Sequence, residues 1–422
     1  MTTPSRPIYL DYASTTPVHP QVRQTMEPYL QQEFGNPSSL SPLGRRAAEA
    51  CERARAQVAR VLACHDDEVV FTSGGSESDN VALKGVALAG PGRRHLVTTT
   101  VEHSAVLGAA RDLQEHFGVE VTYVPVDERG IVDPAAVVAA IRPDTFLVSV
   151  MLANNEIGTI QPIADTARLV RERGVLIHTD AVQAAGFLDL NVDRLGVDLL
   201  SLSAHKFYAP KGSGVLYVRR GTRLVPLIHG GDQERRRRAG TENVAGIVAC
   251  GAALELVEKH RPATCTRLTS LRDRLIAGIE ATVPGALLNG DRWRRLPNNV
   301  NFCFRDVQGE TILLELESED VYASTGSACH AGSQDPSHVL LAIGRCPELA
   351  HTALRLTLGA PTTPAEVERV LELLPIIVDR LRERLIARRR PGLGLPLAPR
   401  ADHPGVKTRR DDPRCFKRPC PK

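Results

Sequence analysis

The sequence predicts an α/β protein built on a mostly parallel sheet. Short apolar runs alternate with helix-length segments, and polar residues follow the runs, as at Asp180 and at 154–156. The run from Thr145 to Ala153 is almost continuously apolar, which is typical of a parallel strand buried on both faces. Ligands collect at the carboxyl ends of such strands, so these polar residues are the first candidates for a site.

Composition narrows the class of protein. The 422 residues suffice for two domains, and with 42% hydrophobic but only 4% aromatic residues the core is expected to be mostly aliphatic. No apolar run reaches the roughly 18 residues of a membrane helix, and the N-terminus lacks a signal-peptide pattern. Nine scattered cysteines without C-x-x-C pairs suit a reducing compartment, so we expect a cytoplasmic enzyme without a membrane partner.

The net charge of +3 is unevenly distributed. From Arg388 onward eleven Lys or Arg face three Asp, a local charge of +8, which leaves −5 on residues 1–387. The folded body therefore gives no reason to expect nucleic acid. Residues 388–422 contain seven prolines and little aliphatic periodicity, so we expect a disordered, basic, proline-rich tail.

The periodicity of apolar residues predicts the elements in chain order. Strands are expected at 8–12, 69–72, 95–100, 145–153, 175–180, 197–202, 215–218, 296–304 and 353–358. Helices are expected at 44–62, 244–259, 268–279, 311–317, 339–343 and 365–385. The stretch from Val321 to Ser337, whose flanks are rich in Gly, Ser and Pro, is expected to be a mobile loop.

Lys206 lies in a turn between two of these predicted strands, 197–202 and 215–218. Ser203 and His205 beside it can donate hydrogen bonds to an anion. Asp180 ends the preceding strand, so it and Lys206 are expected at the same edge of the sheet. A lysine with an aspartate at a strand end suits pyridoxal 5′-phosphate (PLP), which needs a Schiff-base amine and a partner for its ring nitrogen.

These motifs, in this order, resemble the cysteine desulfurase and selenocysteine lyase family on the class V aminotransferase fold. The resemblance runs from about Tyr9 to about Val370. It implies a fold-type I PLP enzyme with a seven-stranded sheet flanked by helices and a smaller α+β domain. The implied division is a large cofactor-binding domain over 15–262, and a small domain of 1–14 and 263–387 that carries the catalytic cysteine.

The strand from Val69 leads into Gly74-Gly75-Ser76 and a helix start. Backbone N–H groups at a helix start favour a phosphate, although Gly-Gly alone is also common in plain strand–helix turns. Together with Lys206, this stretch becomes a candidate phosphate cup, with Gly75 and Ser76 as contacts.

Three further cofactor contacts are implied by the resemblance. His103 follows a strand end, where a histidine is more often structural; in the family the matching histidine stacks on the cofactor ring and moves protons. Asn155, after the strand at 145–153, is implied to contact cofactor and substrate carboxylate, with Gln183 nearby.

The segment from Gly230 to Asn243 holds four consecutive arginines, a pattern usually found on a solvated face. It resembles the family segment that reaches across a dimer, where a threonine contacts the partner's cofactor phosphate. Thr241 is the candidate for this contact, Arg238 is expected to brace the segment, and the implied partner is a second copy of the chain.

Cys329 is the candidate nucleophile among the nine cysteines, because it lies in the small, polar stretch Ser-Thr-Gly-Ser-Ala-Cys. A nucleophilic thiol needs exposure and a lowered pKa, whereas Cys250 and Cys303 lie in apolar runs. The stretch resembles the long-loop branch of the family, which implies that Cys329 carries sulfur and serves as a transient iron–sulfur ligand. Arg355, in the strand at 353–358, is implied to bind the substrate carboxylate.

The resemblance implies that L-cysteine yields L-alanine and a persulfide on Cys329, for acceptors such as iron–sulfur scaffold proteins. Selenocysteine lyase activity on L-selenocysteine stays open, since His330 matches some lyases. A non-catalytic PLP-bound scaffold is the alternative of another class, and an aminotransferase would leave Cys329 without a role.

Ser41, Ala209 and Ala360 depart from the usual residues of the family.

Overall fold

A computed structural model of the chain describes residues 7–90, 92–326 and 335–389. Its main feature is a seven-stranded mixed sheet in the order β2-β8-β7-β6-β5-β3-β4. The strands of the described residues are β1 (Ile8–Tyr9), β2 (Val69–Thr72), β3 (His95–Thr99), β4 (Glu120–Val124), β5 (Thr145–Ser149), β6 (Leu176–Asp180), β7 (Leu199–Ser203), β8 (Gly214–Val218), β9 (Ala286–Leu288), β10 (Asn299–Phe304), β11 (Val321–Tyr322) and β12 (Ala353–Thr357).

The helices confirm the expected alternation of strand and helix along the first half of the chain. They are α1 (Pro20–Met26), α2 (Pro28–Gln31), α3 (Pro42–Leu62), α4 (Gly75–Ala89), α5 (Ser104–Phe117), α6 (Pro134–Ala139), α7 (Ile163–Arg171), α8 (Val192–Leu195), α9 (Val244–Thr282), α10 (Gly309–Glu317), α11 (His338–Ala342), α12 (Pro347–Ala350) and α13 (Pro364–Arg389). Short 3-10 segments occupy Asp66–Glu68 and Ala204–Lys206, and Gln233–Arg236 forms a turn with non-helical backbone conformations.

Helices cover both faces of the large sheet, which explains why its strands are apolar at successive positions. Val97 and Val148 belong to a cluster with side chains from α3, α7 and α9. Leu96 and Leu147, one residue earlier on each strand, belong to a cluster with side chains from α4 and α5. Because neighbouring strand residues point to opposite faces, both faces must be buried, as predicted for a parallel sheet.

Strand pairing brings the two key strand ends together. β6 and β7 pair in parallel, with Asp180 opposite Ser201. β8 then returns antiparallel to β7, with Ser203 opposite Gly214. Lys206 therefore lies in a connection whose two ends are both fixed by the sheet, beside the end of β6.

The second half of the chain builds a smaller antiparallel sheet, β12-β10-β9, and its β11 pairs in parallel with the N-terminal β1. A separate apolar cluster includes Phe302 and Leu356 of this sheet with Leu275 of α9 and Leu374 of α13. The boundary expected at residue 262 falls within α9, and the division of the chain there stays a prediction.

The expectation of two helices at 244–259 and 268–279 is wrong: α9 is one helix that runs through Pro262. Proline removes one N–H donor and disfavours the helix interior. The helix persists here because both flanking parts bury apolar side chains, Leu254 in one cluster and Leu268 in the other. Among the described residues, no helix has the length and apolarity needed to cross a membrane.

A buried carboxyl group links the ends of β3 and β5. Glu102 Oε1 accepts from Thr99 Oγ1 at 2.7 Å and from the Met151 N–H at 3.0 Å. Burial, together with the nearby Asp180 carboxyl, raises the pKa of Glu102 to about 8, although the hydrogen bonds from Thr99 and Met151 oppose the shift. The fold therefore favours protonated Glu102, and this contribution to stability is lost as pH rises through about 8.

We expect Glu102→Gln to flatten the fall in stability between pH 6 and pH 8. The amide oxygen of glutamine can accept the same two hydrogen bonds, and the side chain does not titrate. At a pH between the pKa of a group in the unfolded state and its pKa in the folded state, that one group changes the free energy of unfolding by about 1.4 kcal/mol per pH unit. Urea unfolding at several pH values measures the difference from the parent.

The matched control is Glu115→Gln on the exposed face of α5, which should leave the pH dependence unchanged. Equal pH slopes for Glu102→Gln and the parent would contradict a buried, protonated Glu102.

Candidate active site

Ten of the predicted cofactor and substrate residues line one cavity of about 350 Å³ at the carboxyl ends of β6 and β7. They come from the N-terminal half of the chain and from β12. The ten are Gly75, Ser76, His103, Asn155, Asp180, Gln183, Ser203, His205, Lys206 and Arg355. Thr241 lies outside this cavity and is exposed, and Cys329 lies outside the described residues.

Lys206 reaches the cavity from the 3-10 segment that follows β7. Its Nζ donates to the carbonyl oxygens of Ala13 at 2.6 Å and Ser14 at 2.7 Å. These carbonyls belong to the turn that follows β1, so the N-terminal segment forms one wall of the site. The amine is thereby held within the cavity by acceptors that carry no formal charge.

Asp180 is buried at the end of β6, where the Val182 N–H donates to its Oδ1 at 2.9 Å. Burial raises the pKa of Asp180, and His103 and Lys206 oppose that shift because positive charge nearby favours the carboxylate. The group can therefore stay ionised when it faces a cation, such as a protonated ring nitrogen.

Backbone and side-chain donors form a cup at the start of α4. Gly74 has a φ of +155°, a conformation that favours glycine, and α4 begins at Gly75 with unpaired first-turn N–H groups. A Cβ on Gly75 would lie 2.7 Å from Val182 Cγ2 and 3.4 Å from Ser203 Cβ. Only glycine fits there, so backbone donors can closely approach an anion.

His205 is neutral beside this cup. Burial, together with the charges of Lys206 and Lys211, lowers the pKa of His205 to about 4. Its Nδ1 lies 3.0 Å from Thr15 Oγ1. A neutral imidazole can still donate one N–H to a phosphate oxygen.

His103 caps helix α5, where its Nδ1 accepts from the Ala105 N–H at 3.2 Å. This local bond fixes the ring at the cavity wall. Gln183 is held by a hydrogen bond from its Nε2 to the Ala13 carbonyl at 2.9 Å. Both residues are thus positioned by the backbone, as a site that binds a flat ring requires.

Arg355 is buried on β12, and its guanidinium is partly satisfied by the protein. Nη1 donates to the Asn155 carbonyl at 3.0 Å, and Nη2 donates to Asp11 Oδ1 at 2.7 Å and Ser14 Oγ at 2.9 Å. Among the described residues, Arg355 Nε is buried without a hydrogen-bond partner. A buried donor without a partner is costly, so this atom is suited to a ligand carboxylate.

Asp11, Ser14 and Asp79 belong to the site although sequence reasoning did not select them. Asp79 lines the cavity and is buried, with its carboxylate oxygen 3.6 Å from His178 Nε2. Burial raises the pKa of Asp79 well above its usual range, and the Asp180 carboxyl raises it further. For Asp79, the available sequence signal was the polar stretch after Gly75, which is also typical of an ordinary helix start.

The arginine-rich segment is attached to the base of the cup and is not a freely solvated face. Glu234 accepts from Arg55 Nη2 at 2.8 Å and from the Phe71 N–H at 2.9 Å, and both side chains of the ion pair are buried. Arg238 Nε donates to Glu77 Oε1 on α4 at 3.0 Å. Glu234 and Arg238 therefore fix the arginine-rich segment at two points shortly before Thr241.

Three consecutive residues in that segment have left-handed backbone conformations. Their φ values are 45° for Glu234, 56° for Arg235 and 64° for Arg236. Such conformations cost energy outside glycine and persist only where surroundings hold them. The buried Arg55–Glu234 pair supplies that hold.

The cavity fits PLP. Its donors at Gly75, Ser76, Ser203 and His205 suit a phosphate, and the close packing around Gly75 leaves no room for a side chain. A buried carboxyl group and an amine complete the pattern, since the cofactor needs a partner for its ring nitrogen and a lysine for covalent attachment.

Comparison with known proteins agrees with this geometry. Residues 8–370 match the family described as Aminotransferase class-V. A "Cysteine desulfurase IscS" of Dictyoglomus turgidum is 51% identical over 89% of this chain and 96% of its own length. One from Methanosarcina thermophila is 48% identical over 90% of this chain and 94% of its own length.

Solved structures are similar over most of the fold. A protein titled "NIFS-LIKE PROTEIN" has a TM-score of 0.82 and 36% identity, and covers 90% of this chain and all of its own. "SspA in complex with cysteine" has a TM-score of 0.75 and 36% identity over 84% of this chain and all of its own. The chain belongs to the class V aminotransferase family and, within it, to the PLP-dependent cysteine desulfurases.

Proposed function

We propose that this cysteine desulfurase takes the sulfur of L-cysteine onto Cys329 as a persulfide while L-alanine leaves. The convergence of Lys206, Asp180 and Arg355 on one cavity is the main support. Gly326, three residues before Cys329, also lines that cavity. The structural neighbour titled as a complex with cysteine is further support for this substrate.

Within this proposal each cofactor contact comes from a residue at the cavity wall. Lys206 would form the covalent link, Asp180 would partner the ring nitrogen, and Ser76, Ser203 and His205 would hold the phosphate. The cofactor supplies an electron sink for negative charge at the substrate Cα. Burial strengthens the Asp180 interaction, because water competes little for a buried carboxylate.

Arg355 binds the substrate carboxylate in this scheme. Its Nε is the buried donor without a partner among the described residues, and Asp11 and Ser14 fix the rest of the guanidinium. Asp11 also balances the arginine charge when substrate is absent. An anchored fork of donors orients the substrate with little loss of side-chain freedom.

The proton transfers fall to the residues around Lys206. Once substrate occupies the site, the Lys206 amine removes the proton from the substrate Cα. Positioned proton transfer of this kind typically contributes a factor of about 10² to 10⁴ in rate. His103 is placed at the same wall as a second group able to move a proton.

The sulfur step then balances without an external oxidant. The Cys329 thiolate attacks the substrate sulfur, a sulfur–sulfur bond forms and the carbon–sulfur bond breaks. The electron pair of the broken bond and a proton give the methyl group of alanine. Cys329 keeps the sulfur as a persulfide and passes it to an acceptor protein. The proposed acceptors are sulfur carriers such as iron–sulfur scaffold proteins. During this transfer Cys329 would serve as a transient ligand of the cluster.

A homodimer and a cytoplasmic location complete the proposal. Thr241 follows a segment anchored at Glu234 and Arg238 but lies outside its own cavity, which supports a contact with a partner's phosphate. Cys51, Cys64, Cys250, Cys265 and Cys303 are free thiols, which suits a reducing compartment.

The function is tested by measuring alanine and sulfide from L-cysteine with the full PLP-loaded chain. Lys206→Ala should lower alanine formation by at least about 10³-fold, because it removes both the attachment amine and the base. Lys259→Ala, an exposed lysine on α9, is the control and should keep parental turnover.

Cys329→Ser in the same assay should still bind PLP but yield no persulfide by mass spectrometry. Alanine formation from L-cysteine at the parental rate in this variant would refute the role of Cys329. If the parent released alanine from L-selenocysteine alone, lyase activity would replace desulfuration.

Arg355→Lys should raise KM for L-cysteine by about 10- to 100-fold, since a single amine cannot keep the contacts with Asn155, Asp11 and Ser14 and also offer a donor at the position of Nε. Steady-state kinetics measure KM and kcat separately. Arg274→Lys, an exposed arginine paired with Glu368, should leave both unchanged. A parental KM in Arg355→Lys would place the carboxylate site elsewhere.

Mixing two inactive variants tests the contact across the dimer. Thr241→Ala should weaken PLP retention, and Lys206→Ala should abolish turnover. A mixed dimer has one site with both defects and one intact site, because Lys206 and Thr241 of that site come from different subunits. Refolding the variants together should restore activity, whereas the double variant should stay inactive; absence of recovery would contradict the contact.

A further inference from the structure

The described ends of the segment that carries Cys329 meet at one buried side chain, Glu156. On the downstream end, Ser337 Oγ donates to Glu156 Oε2 at 2.5 Å. On the upstream end, the backbone of Gly326 packs against the same oxygen: a Cβ built there would lie 3.4 Å from Glu156 Oε2. The carboxylate thus lies between residues 326 and 337.

Each end is also tied to a residue of the substrate pocket. Ser324 and Arg355 exchange two backbone hydrogen bonds, at 3.2 Å and 2.6 Å. On the other side, His338 Nε2 lies 2.9 Å from the Glu102 carbonyl, directly before His103. The two ends therefore have a defined position relative to both the substrate arginine and the histidine at the cavity wall.

Glu156 is itself firmly held. Its N–H donates to Asn154 Oδ1 at 2.9 Å, and its carbonyl accepts from Asn301 Nδ2 at 3.1 Å and Asn299 Nδ2 at 3.3 Å. Only 4% of the residue is exposed. Among charged groups, His338, Arg355 and His103 face the carboxylate and oppose the effect of burial on its pKa. A buried carboxylate with these neighbours makes a rigid attachment point.

We propose that Glu156 is a positioning residue for sulfur transfer: its carboxylate fixes both ends of the Cys329 segment relative to Arg355. The inference rests on the proposed role of Cys329. Loosening one end enlarges the set of positions open to the thiol, and a displacement of about 1 Å between reacting groups can cost about 10²-fold in rate. Substrate binding does not depend on Glu156, because Arg355 keeps its contacts with Asp11 and Ser14.

The experiment compares Glu156→Ala, Glu156→Gln and Ser337→Ala in the PLP-loaded chain. Glu156→Ala should lower kcat for alanine formation by about 10- to 100-fold while KM for L-cysteine stays within about threefold. Glu156→Gln should recover most of kcat, since its amide oxygen can still accept from Ser337. The absorbance of bound cofactor should be the same in all three variants.

Hydrogen exchange supplies a readout that does not depend on turnover. In the cofactor-free chain, amides of 335–343 should exchange at least about threefold faster in Glu156→Ala than in the parent, and Glu156→Gln should restore protection. Ser337→Asp separates this effect from helix capping: aspartate still caps α11 at Leu340, but an ionised side chain cannot donate to Glu156. It should therefore resemble Glu156→Ala in both readouts.

Parental kcat in Glu156→Ala, a rise in KM alone, or unchanged exchange at 335–343 would each overturn the proposal. If Glu156→Ala does not fold, Ser337→Ala and Ser337→Asp carry the same comparison. Failure of the proposed function looks different: Cys329→Ser would then make alanine at the parental rate, while the exchange measurements would still report whether Glu156 holds the two ends.

Discussion

The parallel pairing of β6 with β7 is the constraint on which the rest of the site depends. It sets Asp180 opposite Ser201 and places the end of each strand at the same edge of the sheet. The antiparallel return of β8 then fixes the connection around Lys206 from its far side. An acid and an amine of opposite charge are thereby held close together by backbone hydrogen bonds, with no need for a direct ion pair between them.

Arg355 joins the two halves of the molecule at this edge. It lies on the small sheet, yet its guanidinium bonds to the Asn155 carbonyl near the large sheet and to Asp11 in the N-terminal turn. Burying a guanidinium without partners would be strongly unfavourable. The arrangement therefore couples the proposed carboxylate site to the packing of the two sheets against each other, and a change in that packing would alter the pocket.

The sequence predicted the parts of the site that are local and missed those that depend on distant contacts. Lys206, Asp180 and Gly75 follow apolar runs directly, so their places at strand ends could be predicted. Asp11 could not, because its partner Arg355 is 344 positions away in sequence. The prediction of two helices failed for a related reason, since tertiary packing on both sides of Pro262 lets α9 continue despite one lost hydrogen bond.

The bond between Lys206 and the Ala13 carbonyl spans 193 positions, and that between Arg355 and Asp11 spans 344. During synthesis the N-terminal turn leaves the ribosome 344 positions before its partner Arg355 on β12. The pocket therefore cannot be complete on a nascent chain that lacks β12, even after the large sheet has begun to form. Assembly of the last wall is thus postponed until β12 has been made, which keeps the pocket open on shorter nascent chains.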